Sequence, residues 1–165
     1  MTFVKALRHI IAFIKIHLFK LIYGKKVHFG KNTTFRKDFS LMIGESASVK
    51  IGANCFFNNH CSINALQSIE IGDGSIFGEG VKIYDHNHRF RDSLNSIKQQ
   101  GYSVAGVKIG SHCWLGSNVI ILKGAEIGDN CVIGAGCVVS GQVPENSLVK
   151  LPYDNRIEKI GGNLT

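Results

Sequence analysis

Apolar residues recur every six positions over the second half of the chain, at Ile109, Leu115, Ile121, Ile127, Ile133 and Val139. Gly follows directly at Gly110, Gly116, Gly128 and Gly134. A small residue or Val sits four places after each apolar position, at Cys113, Val119, Ala125, Cys131, Cys137 and Val143. The same register runs through Ile51, Phe57, Ile63 and Ile69. A two-residue slip resets it to Ile71, Phe77 and Ile83, and another separates Phe29, Phe35 and Leu41 from Ile43 and Val49. A fixed short period is the signature of a repeat architecture. This one is too short for a helical repeat and does not match the helical period of 3.6. It suits one short strand plus one corner, so three such faces close a triangular coil of about eighteen residues. The apolar residue points into the prism, Gly or Asn tolerates the corner, and coils stack by parallel strand pairing. The spacing predicts an all-β fold, a parallel β-helix of about six triangular coils over residues 27–150.

Residues 1–23 break the pattern. They hold no Gly or Pro, and at 100° per residue Lys5, Arg8, His9, Ala12, Lys15 and Lys20 gather on one side. Phe3, Leu7, Ile10, Ile14, Leu18 and Leu21 gather on the other, while Ile16 and Phe19 intrude on the polar side. The expectation is an amphipathic α-helix. Lys and Arg interrupt it too often for a spanning helix, and no small-residue cleavage site follows. Either it lies on an anionic bilayer surface, or its apolar face caps the open end of the β-helix; one helix could do both. Residues 151–165 leave the repeat at Pro152 and form a basic tail.

Composition agrees with corners and strands: Gly is frequent, at 19 residues, and Pro rare, at 2. The net charge of +7 points to an anionic partner such as a phosphorylated cofactor or a lipid surface. Nucleic acid has no motif behind it, because the aromatics fall at core positions and the charge is spread. All five cysteines occupy the small inward slot, which reads as buried packing rather than metal binding or disulfides. Their odd number and the lack of a cleavable signal argue for a reducing, cytoplasmic setting.

Candidate chemistry sits where the repeat stops. Between Ile83 and Val107 the chain extrudes a loop, residues 84–106, that opens with "YDHNHRF". Loops this long inside a compact domain are usually functional. The segments "VKIYDHNH", "FFNNHCSINA" and "VKIGSHCWLGSNVIILKGAEIGDNCVIGAGCVVSGQVPENSLV" resemble the hexapeptide-repeat acyltransferases, closest to their sugar and capsular polysaccharide O-acetyltransferases. The resemblance covers about residues 50–160 and implies a left-handed coil, a homotrimer with the site between subunits, and acetyl-CoA as donor without a metal.

The family's catalytic base, counted from Ile83, falls on His88, with His86 as competitor. The resemblance further implies Trp114 as a wall of the acyl site and the backbone N–H of Ser117 as oxyanion donor. It puts Asn58 on the acceptor, with Tyr84 and Asp85 beside it. Ala135 would contact the pantetheine arm, and Lys150, Arg156 and Lys159 the phosphates. A neutral imidazole can take the proton of an attacking sugar hydroxyl at cytoplasmic pH, and a thioester is activated enough to need no covalent intermediate. Leu66 stands where the galactoside enzymes carry an acidic acceptor ligand, which argues against a galactoside. A capsular or exopolysaccharide, or its lipid-linked precursor, is the expected acceptor, with a small free sugar or an antibiotic as runner-up. Two other classes stay open. One is a zinc enzyme like the γ-class carbonic anhydrases, drawing on His60, His86, His88 and His112. The other is a non-enzymatic scaffold.

Overall fold

The computed structural model describes residues 3–152. Helix α1 (Phe3–Tyr23) leads through a short 3-10 turn, Gly24–Lys26, into a stack of short parallel strands. The strands fall into three sheets, one for each face of a triangular prism. The first face runs from Val27–Phe29 through Ser48–Ile51, Ser68–Ile71, Val107–Ile109 and Glu126–Ile127 to Gln142–Val143. The second runs from Thr34–Phe35 through Phe56–Phe57, Ile76–Phe77, Trp114–Leu115 and Val132–Ile133 to Leu148–Val149. The third holds Ser40–Ile43, Ser62–Ala65, Lys82–Tyr84, Ile120–Ile121 and Val138–Val139. Six, six and five strands make nearly six coils, as the six-residue period requires.

The slips in the period have a local cause. In the early coils the first and third faces carry four-residue strands that bury two side chains each: Leu41 with Ile43, Val49 with Ile51, Ile63 with Ala65, Ile69 with Ile71. The first two corners keep a tight left-handed turn. Asn32, Asn54, His112, Asn130 and Asn146 take it at the first corner, and Asp38, His60 and Asn118 at the second. Asn ladders reinforce the first corner, where Asn32 Nδ2 donates to Asn54 Oδ1 at 3.2 Å and Asn130 Nδ2 to Asn146 Oδ1 at 3.3 Å.

The core changes along the prism. Its N-terminal end is aromatic, with Phe35 stacked on Phe39 at 4.5 Å and Phe57 on Phe77 at 4.2 Å. The later coils are filled by Ile, Val, Leu and Cys. The five cysteines are buried and unpaired, as the slot predicts. The thiols of Cys55, Cys61, Cys113 and Cys131 donate to carbonyls of the next coil at 3.0–3.2 Å.

Helix α1 corrects one expectation. It does cover the open N-terminal end, but with the stripe Ala12, Ile16, Phe19 and Tyr23 rather than its more apolar side. Phe19 lies 6.1–6.2 Å from the rings of Phe29, Phe35 and Phe39, and the Tyr23 hydroxyl donates to the Leu41 carbonyl at 3.0 Å. The end of the prism is a flat aromatic patch. A large ring beside the small Ala12 fits it more closely than a row of branched aliphatics.

Candidate active site

The long loop leaves at the third corner, between the third and first faces. It is an ordered hairpin: His86–His88 pairs antiparallel with Tyr102–Val104, setting His88 opposite Tyr102. Its tip is tied by its own side chains. Gln100 Nε2 donates to the carbonyls of Asp92 and Asn95 at 2.9 Å, and Ser96 and Gln99 form a capping box on the 3-10 turn Ile97–Gln100. Asp92 accepts from the Asn95 side chain and the Leu94 N–H, and these bonds hold its carboxyl below the usual carboxylate range.

Asp85, expected beside the acceptor, is turned inward. It is fully buried, and its carboxylate accepts from the N–H groups of Leu66 and Gln67 at 2.8 and 2.7 Å. Oδ1 also meets His86 Nδ1 at 3.0 Å. The chain turns away from the prism here, so two backbone donors of the coil below lose their ladder partners; a carboxylate replaces them. Asp85 therefore pins the root of the hairpin and orients His86.

The two candidate bases differ in setting. Alternation along a strand puts His86 and His88 on one side of the hairpin, both against the Tyr102 ring at 5.3 and 4.5 Å. His86 is largely covered, anchored through Nδ1, with Tyr84 edge-on at 6.3 Å. His88 is exposed and lines a cavity of about 660 Å³ together with Arg89, Phe90, Arg91, Asp92 and Lys123. Sequence reasoning missed the cationic side chains of this cavity. Arg89 and Arg91 lie in the loop itself, but Lys123 comes from the third corner of the next coil, and only stacking brings it there.

The remaining candidates lie along a different edge. Strand register stacks Asn58, Gly78, Gly116, Gly134 and Lys150 in one column at the second corner, with Ser117 and Ala135 in the next. The backbone approach is close: a Cβ on Gly78 would meet the Ser117 nitrogen at 2.6 Å, and one on Gly116 the Ala135 nitrogen at 2.6 Å. Ser117 is exposed, and its N–H has no hydrogen-bond partner among the described residues. Asn58 accepts from Arg36 Nη1 at 3.2 Å. Trp114 stands beside this edge on the second face, 54% exposed between Ile76 and Val132. It does not pack into its own coil. Arg156 and Lys159 lie outside the described residues.

The candidates thus form two groups. Tyr84, Asp85, His86 and His88 sit at the third corner; Asn58, Trp114, Ser117, Ala135 and Lys150 sit on or beside the second. In a triangular prism the second face lies across from the third corner, so one chain does not bring His88 to Trp114. The histidines of the zinc alternative do not converge either. His60 and His112 take left-handed turns at different corners. No group of three His, Cys, Asp or Glu among the described residues could hold a metal ion.

Comparison with known proteins finds the same repeat and fold elsewhere. Residues 106–141 match the bacterial transferase hexapeptide (six repeats), and residues 48–85 the hexapeptide repeat of succinyl-transferase. A Mycobacterium tuberculosis protein named as an acetyltransferase is 33% identical over 82% of this chain and 44% of its own. An Escherichia coli protein named for O-acetyl transfer in lipopolysaccharide biosynthesis is 31% identical over 74% of this chain and 66% of its own. The chain thus spans less than two thirds of the length of these relatives. Among solved structures, a Vibrio cholerae hexapeptide-repeat acetyltransferase complexed with acetyl coenzyme A superposes with a TM-score of 0.70. It is 25% identical over 82% of this chain and 70% of the other. A maltose O-acetyltransferase from Clostridium difficile gives 0.68, at 28% identity over 89% and 83%. Their fold, the left-handed parallel β-helix, is the fold of this chain. By repeat, fold and relatives, the chain belongs to the hexapeptide-repeat acyltransferase family.

Proposed function

We propose that the chain is an acetyl-CoA-dependent O-acetyltransferase that acylates a hydroxyl of a polysaccharide or of its lipid-linked precursor. The observation that carries this reading is the exposed His88 imidazole, held on a pinned hairpin beside a roomy cavity. His88 removes the proton of the attacking hydroxyl as its oxygen bonds to the thioester carbonyl. The Ser117 N–H donates to the oxyanion, and the thiolate leaves as the tetrahedral centre collapses. Trp114 walls the acyl group. A pantetheine arm runs along the second corner past Ala135, with Lys150 at its end; the phosphates fall to Lys150 and to Arg156 and Lys159 of the tail. Asn58 binds the acceptor. Arg89, Arg91 and Lys123 in the His88 cavity suit an acidic or phosphate-linked glycan better than a neutral free sugar or an antibiotic. A lipid-linked acceptor and a cytosolic acyl donor would place the reaction at the inner face of the membrane.

The active unit in this reading is a homotrimer with the third corner of one copy against the second corner of the next. Two observations support it. The two groups of site residues lie at different corners of the prism, with Trp114 on the face across from His88. The outward residues of the second face are also apolar, with Ile76, Trp114 and Leu148 about half exposed. The first face instead carries paired charges such as Lys50–Glu70 at 3.4 Å, and suits solvent. The exposed hairpin tip, with Leu94 93% exposed, can reach the neighbouring copy.

Thiol release from acetyl-CoA with a panel of acidic and neutral oligosaccharides tests the reading. His88→Ala should lower turnover by about 10²-fold or more, the scale of a lost general base. A larger loss in His86→Ala than in His88→Ala would transfer the role of base to His86. No turnover by the assembled wild type with any acceptor would overturn the acyltransferase reading.

A further inference from the structure

Helix α1 has a face that the fold leaves bare. Ala12, Ile16, Phe19 and Tyr23 dock on the prism, and the helical period turns the opposite arc straight outward. That arc carries Ile10, Ile11, Ile14, Leu18, Leu21 and Ile22, each between 46% and 82% exposed. Single exposed aliphatics are ordinary, but a contiguous stripe of six along one helix marks an interaction surface. Lys15 and Lys20 flank it on either side, and Lys25 and Lys26 follow the helix.

Charge identifies the occupant. The first 37 residues hold nine Lys and Arg and no Asp or Glu. The other 128 hold ten Lys and Arg against twelve Asp and Glu, a net of −2, so the whole positive excess of the chain sits at the end covered by α1. No helix among the described residues is long and apolar enough to cross a membrane. A helix with a bare apolar stripe edged by lysines lies in the plane of an anionic interface, its aliphatics among the acyl chains and its cations at the headgroups. A second copy packed on this stripe would bring the same lysines against each other without an acid in reach.

We infer that α1 has two working faces: one closes the β-helix, and the other docks the protein flat on an anionic lipid surface. The docked stripe leaves the opposite one free because the intruding residues Ile16 and Phe19 take over the capping.

The test is co-flotation of the full chain with phosphatidylglycerol–phosphatidylcholine vesicles and with phosphatidylcholine vesicles alone. The expected result is binding to the anionic vesicles, roughly tenfold or more weaker to the neutral ones, and weakened by salt. The double variant Leu18→Glu, Leu21→Glu should lose flotation. It should keep its circular dichroism spectrum, its elution volume and any acetyl transfer to a water-soluble acceptor, because both side chains face away from the prism. Wild type that stays with the unbound fraction overturns the inference. So does an assembly that Leu18→Glu, Leu21→Glu breaks in the absence of lipid, since the stripe is then an interface between copies. Acetyl transfer is read separately, so loss of membrane binding and failure of the acyltransferase reading give different results.

Discussion

Removing the Asp85 carboxylate should unfasten the candidate base from the scaffold, and the size of the effect follows from its partners. Asp85→Ala deletes two charge-assisted bonds from the N–H groups of Leu66 and Gln67. Hydrogen bonds to a charged acceptor contribute about 1.5–3 kcal/mol each, and a buried donor left unpaired carries a desolvation cost. Gln67 is exposed, so its N–H can recover a water and counts at the low end. The expected loss is about 2–4 kcal/mol, read as a lower midpoint in urea unfolding followed by circular dichroism. Asp85→Asn keeps one acceptor but points an amide N–H₂ at a second donor, so it should recover less than half. Acetyl transfer should fall in both variants while the affinity for acetyl-CoA, bound along the other edge, stays near wild type. Stability within about 0.5 kcal/mol of wild type for Asp85→Ala, the range of an ordinary surface change, would refute the anchoring role. Normal transfer with reduced stability would show that neither histidine depends on the anchor.

Phe19→Ala removes the ring over Phe29, Phe35 and Phe39 and should cost about 2–3 kcal/mol, below the range for a fully buried Phe because the ring is partly exposed; thermal unfolding measures it. Gly116→Ala forces a Cβ to 2.6 Å from the Ala135 nitrogen, so the two coils must separate, and acetyl-CoA affinity should drop with stability. Trp114→Ala should leave the folding of the isolated chain almost unchanged, since the ring is half exposed, but weaken self-association by sedimentation and slow transfer. Burial pushes the thiols of Cys55, Cys61 and Cys113 above their ordinary 9.0. A raised native pKa means the folded state holds protons that the unfolded state has released. This stabilising contribution is therefore complete below pH 9.0 and lost as pH rises through the raised native value. Urea midpoints should fall between pH 8 and pH 10.5, and Cys→Ala at Cys55, Cys61 and Cys113 should flatten that fall.

The repeat was legible because it depends on position alone. A coil buries one side chain per face, and any sequence that places Ile, Leu, Val or Phe there every six residues dictates the faces, the corners and the cysteine slots. His88 and its loop were legible for the same reason, as a break in a rule. Three features were not legible. The docking face of α1 depends on the shape of the prism's aromatic end, and a helical wheel ranks hydrophobicity without seeing the partner surface. Asp85 reads from sequence as one more polar residue of the loop. Its burial depends on the two N–H groups of the previous coil, 18 and 19 residues back, that need an acceptor where the chain turns out. Finally, Lys123 reads from sequence as an ordinary corner cation, and only the stacking of coils brings it into the cavity that His88 lines. Period and composition thus determined what the chain folds into. Tertiary structure alone decided which helix face stays bare and which cations share the cavity of His88, because both are set by the direction side chains leave a closed solid.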